Sequence, residues 1–343
     1  MRSPFCSPLL CEPLLIPKIW GGRRLETVLG KCLPPRERIG ESWEVADLPD
    51  AASAVTNGPL PGASLRELML QYGFALAPAA EDGRFPLLVK FIDAEDDLSV
   101  QLHPDREACA QHFPEHRPKH EYWIVVDSPP GGCIVHGVRA DVARSELASR
   151  IGDGELLECV RRIPVQPGDV IDVPPGTLHA LSQGMMVLEI QEPSDATFRV
   201  YDYGRLGEDG QPRPLHIEEA LQAATLRNDV PAKLTPRRET FGWGHYELLV
   251  DIAPFRIERL RLRRAAAWHA APDVPTVLVV LGGGVQISGG AESTALRLGQ
   301  SCILPPVLER VELHSERDAQ VILAAPVTGR DESGSPRPCV QGL

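Results

Sequence analysis

The sequence predicts a mainly β protein built of two related β-barrels with a few peripheral helices. Three observations lead there. Proline (33 residues) and glycine (30 residues) punctuate short runs rich in β-branched and aromatic residues, and long apolar helical patterns are few. At 343 residues, 43% hydrophobic and 24% charged, the chain has the length for two or three folding units with a sizeable core. The sequence also echoes itself: Gly168, Pro174, Gly176 and His179 recur at the same spacing as Gly299, Pro305, Val307 and Arg310. Each set follows a strand-like segment and a Gly-rich turn. The second copy has Arg310 where the first has His179, so a metal ligand at His179 would have no counterpart in the second barrel.

Element by element, the first 60 residues read as irregular, with ESWEVAD (41–47) the best early strand. SLRELMLQYG (64–73) places Leu65, Leu68, Met69 and Tyr72 on one helical face. PLLVKFID (86–93), LSVQLH (98–103) and EYWIVVD (121–127) are strands by their branched and aromatic content. Residues 141–163 read as a helical insertion broken at Gly152 and Gly154, after which strands resume at Val165 and run through MMVLEIQ and TFRVYDY. HIEEALQAA (216–224) is a second helix, and residues 241–326 alternate like strands throughout. The expected units are therefore residues 1–228 with helical insertions, a charged linker at 229–240, a second barrel at 241–328, and a tail at 329–343 whose composition suggests disorder.

A formal net charge of −12 argues against nucleic-acid or anionic-membrane partners, so an anionic small substrate would need a local basic patch. The eight cysteines form no C-x-x-C pair and no framework spacing, and read as reduced. Pro4, Pro8, Pro13 and Pro17 interrupt the apolar N-terminal stretch, and no run approaches the roughly 20 apolar residues of a bilayer span. A cytoplasmic protein is the expectation; the oligomeric state is left open.

Chemistry gathers around GDVIDVPPGTLHAL (168–181). On the strand LSVQLH, Ser99, Gln101 and His103 share one face, which should line a cavity, while Leu98, Val100 and Leu102 pack on the other. In KHEYW, Lys119 and Glu121 again share a face and His120 points away. His103, Glu121 and His179 make a two-imidazole, one-carboxylate set with Gln101 as a possible fourth donor, suited to Zn²⁺ and also to Fe²⁺ or Mn²⁺. Each residue alone also has an ordinary reading, as a rim histidine or an edge charge.

The segments IPKIWGG, IGESWEVAD, FPLLVKFIDAEDDLSVQLHPD, KHEYW, PPGTLHAL and VLEIQEPSDATFRVYDYGR occur in the order found in type I mannose-6-phosphate isomerases, which the first 205 or so residues resemble. Gly168 to His179 is similar to the second motif of the wider cupin superfamily. The resemblance implies two cupin-like jelly rolls, the first catalytic and metal-binding, the second metal-free. It implies one Zn²⁺ per chain on Gln101, His103, Glu121 and His179, catalytic roles for Lys119 and Arg199, and sugar-phosphate contacts from Lys90, Ser99 and Arg199. Pro118 and His120 depart from the residues that commonly flank the lysine, and REACAQHFPEHR is an unusual connecting loop.

The implied reaction interconverts mannose 6-phosphate and fructose 6-phosphate by moving a proton between C1 and C2 through an enediol-like species. A zinc ion with neutral imidazole and amide ligands keeps the positive charge such an oxyanion needs. Arg199 is a permanent cation that can assist it, and Lys119 is the candidate proton carrier. A cupin oxygenase using Fe(II) on the same three ligands, and a non-catalytic sugar-phosphate-binding protein, are the alternatives. For Lys90 a solvated amine, and for Trp20 and Trp43 a plain core role, are the ordinary expectations.

Overall fold

A computed structural model of the protein describes residues 4–327 and 339–342, apart from 79, 81, 208, 227–230, 272 and 316. The strands of the first half are β1 (Cys11–Glu12), β2 (Leu14–Gly22), β3 (Ile39–Val45), β4 (Ala54–Val55), β5 (Leu88–Ala94), β6 (Val100–Leu102), β7 (Glu121–Asp127), β8 (Cys133–Val138), β9 (Val160–Pro164), β10 (Val170–Val173), β11 (His179–Leu181), β12 (Met185–Gln191) and β13 (Phe198–Tyr201). Those of the second half are β14 (Arg237–Phe241), β15 (Gly244–Ile252), β16 (Phe255–Leu262), β17 (Ala266–His269), β18 (Thr276–Gly282), β19 (Gly284–Ser288), β20 (Thr294–Arg297), β21 (Ser301–Leu304), β22 (Arg310–His314), β23 (Ala319–Pro326) and β24 (Cys339–Gly342).

Beside a small β1-β4 ribbon, the first half has a six-stranded sheet, β10-β7-β12-β5-β3-β2, and a five-stranded sheet, β13-β6-β11-β8-β9. The second half repeats both orders strand for strand, as β21-β18-β23-β16-β15-β14 and β24-β17-β22-β19-β20. The short echo in the sequence thus marks a repeat of the whole barrel. The pairings also locate the counterparts of the candidate ligands. His179 faces Gln101 across β11 and β6, and Arg310 faces His269 across β22 and β17. Glu121 faces Val173, as Thr276 faces Leu304. Threonine and arginine thus stand where the first barrel has the glutamate and the histidine.

Among the described residues five helices are peripheral: α1 (Arg24–Thr27), α2 (Leu65–Leu76), α3 (Arg106–Gln111), α4 (Arg144–Gly152) and α5 (Ile217–Ala223). Ser64 and Glu67 close a reciprocal capping box at the start of α2, whose Leu65, Leu68 and Met69 are buried; at Tyr72 the backbone leaves helical geometry. Asp105 caps α3, its carboxylate accepting from the Ala108 amide at 2.7 Å.

Several sequence expectations change. The early segment is not wholly irregular: β2 is a nine-residue strand, able to hold Pro17 because it lies at a sheet edge and slips register there. The helical insertion ends at Gly152; a single 3-10 turn (Leu156–Glu158) follows, and β9 takes the remainder, with Ile163 opposite Ile134. The expected linker already contains β14, an exposed, charged edge strand whose composition resembles a solvated connection. REACAQ is the capped helix α3 rather than a loop. Of the expected tail, residues 329–338 and 343 lie outside the described residues, whereas Cys339–Gly342 pairs with β17.

The first barrel is filled between its sheets by Trp20, Ile92, Trp123, Ile171, Leu181 and Val187. Outside the five-stranded sheet, Val100, Leu102, Ala180, Phe198 and Val200 pack with residues of α4 and α5. Outside the six-stranded sheet, Val89, Phe91, Tyr122, Ile124, Leu188 and Ile190 join Phe255, Ile257, Val277, Val279, Ile322 and Ala324 of the second barrel's larger sheet in one continuous apolar cluster. Cys6, Cys11, Cys32, Cys109, Cys133, Cys159 and Cys302 are free thiols. No helix of the described residues is long and apolar enough to cross a membrane.

Candidate metal centre

The site is built across the inside of the first barrel. Gln101 and His179 sit opposite each other on β6 and β11 of the five-stranded sheet, and Glu121 opens β7 of the facing sheet. His103 follows β6 directly. Alternation along β6 turns Val100 and Leu102 outward to the helices and Gln101 inward; Leu98, before the strand begins, lines the cavity instead of sharing their face.

The turn PPGTLH positions both imidazoles. Gly176 has φ of +80°, open to glycine, and a Cβ there would lie 2.5 Å from Thr225 Oγ1 and 2.8 Å from the Ala223 carbonyl. Its N–H donates to the His103 carbonyl at 2.7 Å, and its own carbonyl accepts from the Thr225 amide at 2.8 Å. One glycine therefore ties the turn that carries His179 to the backbone of His103 and to the end of α5.

His103, Glu121 and His179 are all buried, and one ligand atom from each lies within 4.8 Å of the others. His103 Nδ1 donates to the Ala196 carbonyl at 2.6 Å and His179 Nδ1 to the Thr177 carbonyl at 2.8 Å, so both rings present Nε2 to the centre. His103 Nε2 is 3.1 Å from Glu121 Oε1, while His179 Nε2 and Glu121 Oε2 are buried with no hydrogen-bond partner among the described residues. Orphaned buried polar atoms are costly. These two converge on the same point from opposite sheets, as ligands of a shared cation do. Burial, helped by the charge of Lys119, lowers the His103 pKa, and burial together with His103 pushes His179 down to about 3, so both are neutral donors. Burial alone would raise Glu121, but the charge of Lys119 foremost holds the carboxyl well below the usual range. Gln101, half-buried, accepts from Ser99 Oγ at 3.3 Å and lines the same space.

A cavity of about 280 Å³ opens onto Gln101, Glu121 and His179. Lys119, 4% exposed, places Nζ 2.8 Å from Glu121 Oε1 and 3.4 Å from His103 Nε2. Arg199 lies beside Gln101 on the neighbouring edge strand β13 and also faces the cavity. Burial, then the nearby charge of Arg213, lowers its pKa. Ser99 is buried in the wall. Lys90 is not solvated: its amine pairs with Glu189 at 3.0 Å and stands 3.8 Å from Glu41, and although burial opposes its charge these carboxylates raise its pKa. Trp20 belongs to the core between the sheets, yet both it and Trp43 line the cavity. His120 turns away to Asp172, 2.7 Å from its Nε2.

Reading the sequence overlooked Glu41 and Glu189. Burial and the charge of Glu121 raise the Glu189 pKa, while Trp123 Nε1 donates to its Oε2 at 3.0 Å. The available signal was a lone carboxylate inside the otherwise apolar run MMVLEIQ. Arg213, in a proline-flanked loop, carried no comparable signal.

Residues 11–128 match the family model of the phosphomannose isomerase type I catalytic domain. A probable mannose-6-phosphate isomerase of Bacillus subtilis is 36% identical over 305 residues, 87% of this chain and 93% of that protein. A mannose-6-phosphate isomerase of Streptococcus mutans is 36% identical over 302 residues, 88% of this chain and 93% of the relative. The crystal structure of the mannose 6-phosphate isomerase from Bacillus subtilis, 32% identical, aligns with a TM-score of 0.85 over 93% of this chain and 99% of that one. A mannose 6-phosphate isomerase bound with zinc and yttrium, 14% identical, shares the fold with a TM-score of 0.74. The matches to the two relatives and to the Bacillus subtilis structure run through both barrels and leave the oxygenase and non-catalytic alternatives without support: the chain belongs to the type I mannose-6-phosphate isomerases.

Proposed function

We propose that the protein interconverts mannose 6-phosphate and fructose 6-phosphate with one Zn²⁺ held by Gln101, His103, Glu121 and His179, through an enediol-type proton transfer. The observation that carries the metal assignment is the pair of orphaned atoms, His179 Nε2 and Glu121 Oε2, buried beside His103 Nε2 with both Nδ1 atoms already committed to carbonyls. Two neutral nitrogens and a carboxylate fit zinc, with the Gln101 amide as a neutral fourth donor. When bound, the ion supplies Lewis acidity toward the substrate oxygen on which negative charge develops.

The chain's own groups account for the rest. Lys119 is the proton carrier, buried on the same wall as the ligands and able to exchange a proton with the sugar's C1–C2 unit or its oxygens. Arg199, next to Gln101, is the fixed cation that stabilises the oxyanion. Lys90, already neutralised by Glu189 and Glu41, and Ser99 serve as donors that orient the sugar hydroxyls. The walls of Trp20, Trp43 and Trp123 shield the intermediate from water. A coupled assay of fructose 6-phosphate formation, before and after chelation and with elemental analysis of the same sample, tests the reading. Full turnover by metal-free protein would refute the metal's role; recovery with iron or manganese but not zinc would refute its identity.

A further inference from the structure

The cavity has two electrostatically different ends. Along the six-stranded sheet its wall carries Glu41, Glu121 and Glu189, and the amines there are committed: Lys90 to Glu189 and Glu41, Lys119 to Glu121. A phosphate dianion placed on that wall would face carboxylates. Beyond the edge strand β13 the balance reverses. Asp202, buried, accepts from both Arg205 and Arg213. Arg199, whose pKa both of these arginines help to lower, stands close enough to feel them. Two guanidiniums share one carboxylate and Arg199 stands beside them; with Asp195 also lining the cavity, three arginines against two aspartates leave a local positive charge in an otherwise acidic protein.

The geometry at Arg213 is that of a prepared anchor. Its Nε donates to Asp202 Oδ2 at 2.7 Å and its Nη2 to Asp202 Oδ1 at 2.5 Å, fixing the guanidinium plane side-on and leaving Nη1 without a protein partner among the described residues. Arg199 is held by its Nη1, which donates to the Pro214 carbonyl at 3.0 Å, while its Nε is buried and unpartnered. Both side chains line the cavity. Across the five-stranded sheet the order is His179, Gln101, Arg199, with Arg213 beyond the edge. At about 4.8 Å per strand, Arg199 lies roughly 10 Å from His179. A linear hexose phosphate, its carbonyl end at the ligands, would extend its phosphate in this direction.

We infer that Arg213, oriented by Asp202, is the phosphate anchor of the site, and that Lys90 is not. The inference rests on the reading of this cavity as the sugar-phosphate site. Arg213→Gln should raise KM for mannose 6-phosphate about 10-fold to 100-fold, as expected for losing a charge-assisted bond to phosphate, and by more than it lowers kcat. The inhibition constant of inorganic phosphate, measured against the same substrate, should rise in parallel. Arg213→Lys keeps the charge but not the side-on bond to Asp202 and should fall between the two. KM and phosphate inhibition both within about twofold of the parent would overturn the anchor assignment, as would a fall in kcat with KM unchanged. If the parent protein itself fails to isomerise mannose 6-phosphate, the reading of the cavity fails, an outcome distinct from either.

Discussion

Lys119→Met separates proton transfer from metal holding. The ammonium sits 2.8 Å from Glu121 Oε1 and 3.4 Å from His103 Nε2, and the residue is 4% exposed. Methionine preserves most of the volume of the buried stem, so the wall keeps its packing. Removing a positioned proton carrier costs about 100-fold to 10,000-fold in rate, or roughly 2.7 to 5.4 kcal/mol of barrier. In the metal-free protein the variant also loses a charge-assisted bond to Glu121, about 1.5 to 3 kcal/mol, a loss that a bound dication offsets by taking up the carboxylate. The assay is steady-state isomerisation of mannose 6-phosphate by zinc-loaded variant and parent, with elemental analysis of each. The expected result is one zinc per chain in both and a fall in kcat of at least about 100-fold in the variant. Turnover within about threefold of the parent would remove Lys119 from the chemistry. Loss of zinc together with turnover would refute the separation and make the lysine an orienting partner of Glu121.

Three further outcomes are expected. Chelation should lower the melting temperature, since a ligand bound only by the folded state stabilises it by mass action, and zinc should restore it in calorimetry; an unchanged melting temperature in metal-free protein would contradict the centre. Gly176→Ala imposes a Cβ at positive φ against Thr225 and Ala223, and should cost about 1 to 3 kcal/mol in urea unfolding and weaken metal retention; unchanged stability would show that the turn adapts. Burial opposes the ionised form of Glu41, but Lys90 and Lys18 outweigh it and bring its pKa from 4.5 down to about 2. Between these values the unfolded chain takes up a proton that the folded one does not, so stability falls as pH drops through that window. Glu41→Gln should show a shallower loss between pH 5 and pH 3 in urea midpoints, and an equal loss would remove Glu41 from the acid response.

The parts of the molecule legible in the sequence are those where one local signal suffices. The branched and aromatic runs LLVKFID and EYWIVVD, the apolar helical face of Leu65, Leu68 and Met69, and the repeated Gly and Pro positions each have a single cheap structural reading. The candidate set His103, Glu121 and His179 was legible from alternation in LSVQLH and KHEYW and from the turn PPGTLHAL, and the structure gathers all three. What sequence alone obscured depends on partners far along the chain. The strand β9 lay hidden in a helical-looking insertion because its pairing is with β8, and β14 looked like a linker because an edge strand need bury little. A buried Lys90 could not be told from a solvated one until Glu41 and Glu189, from two other strands, were seen around it.

The apolar layer shared by the two larger sheets makes the second barrel more than a passenger. Tyr122 and Ile124, on the strand that opens with Glu121, belong to the same buried cluster as Phe255 and Ile257. The second half thus serves as a permanent backing plate, pressing from behind on a strand whose front supplies Glu121 to the candidate centre. A chain cut between the halves would leave each with a greasy wall facing water, and the first half would lose the support behind the strand that carries Glu121.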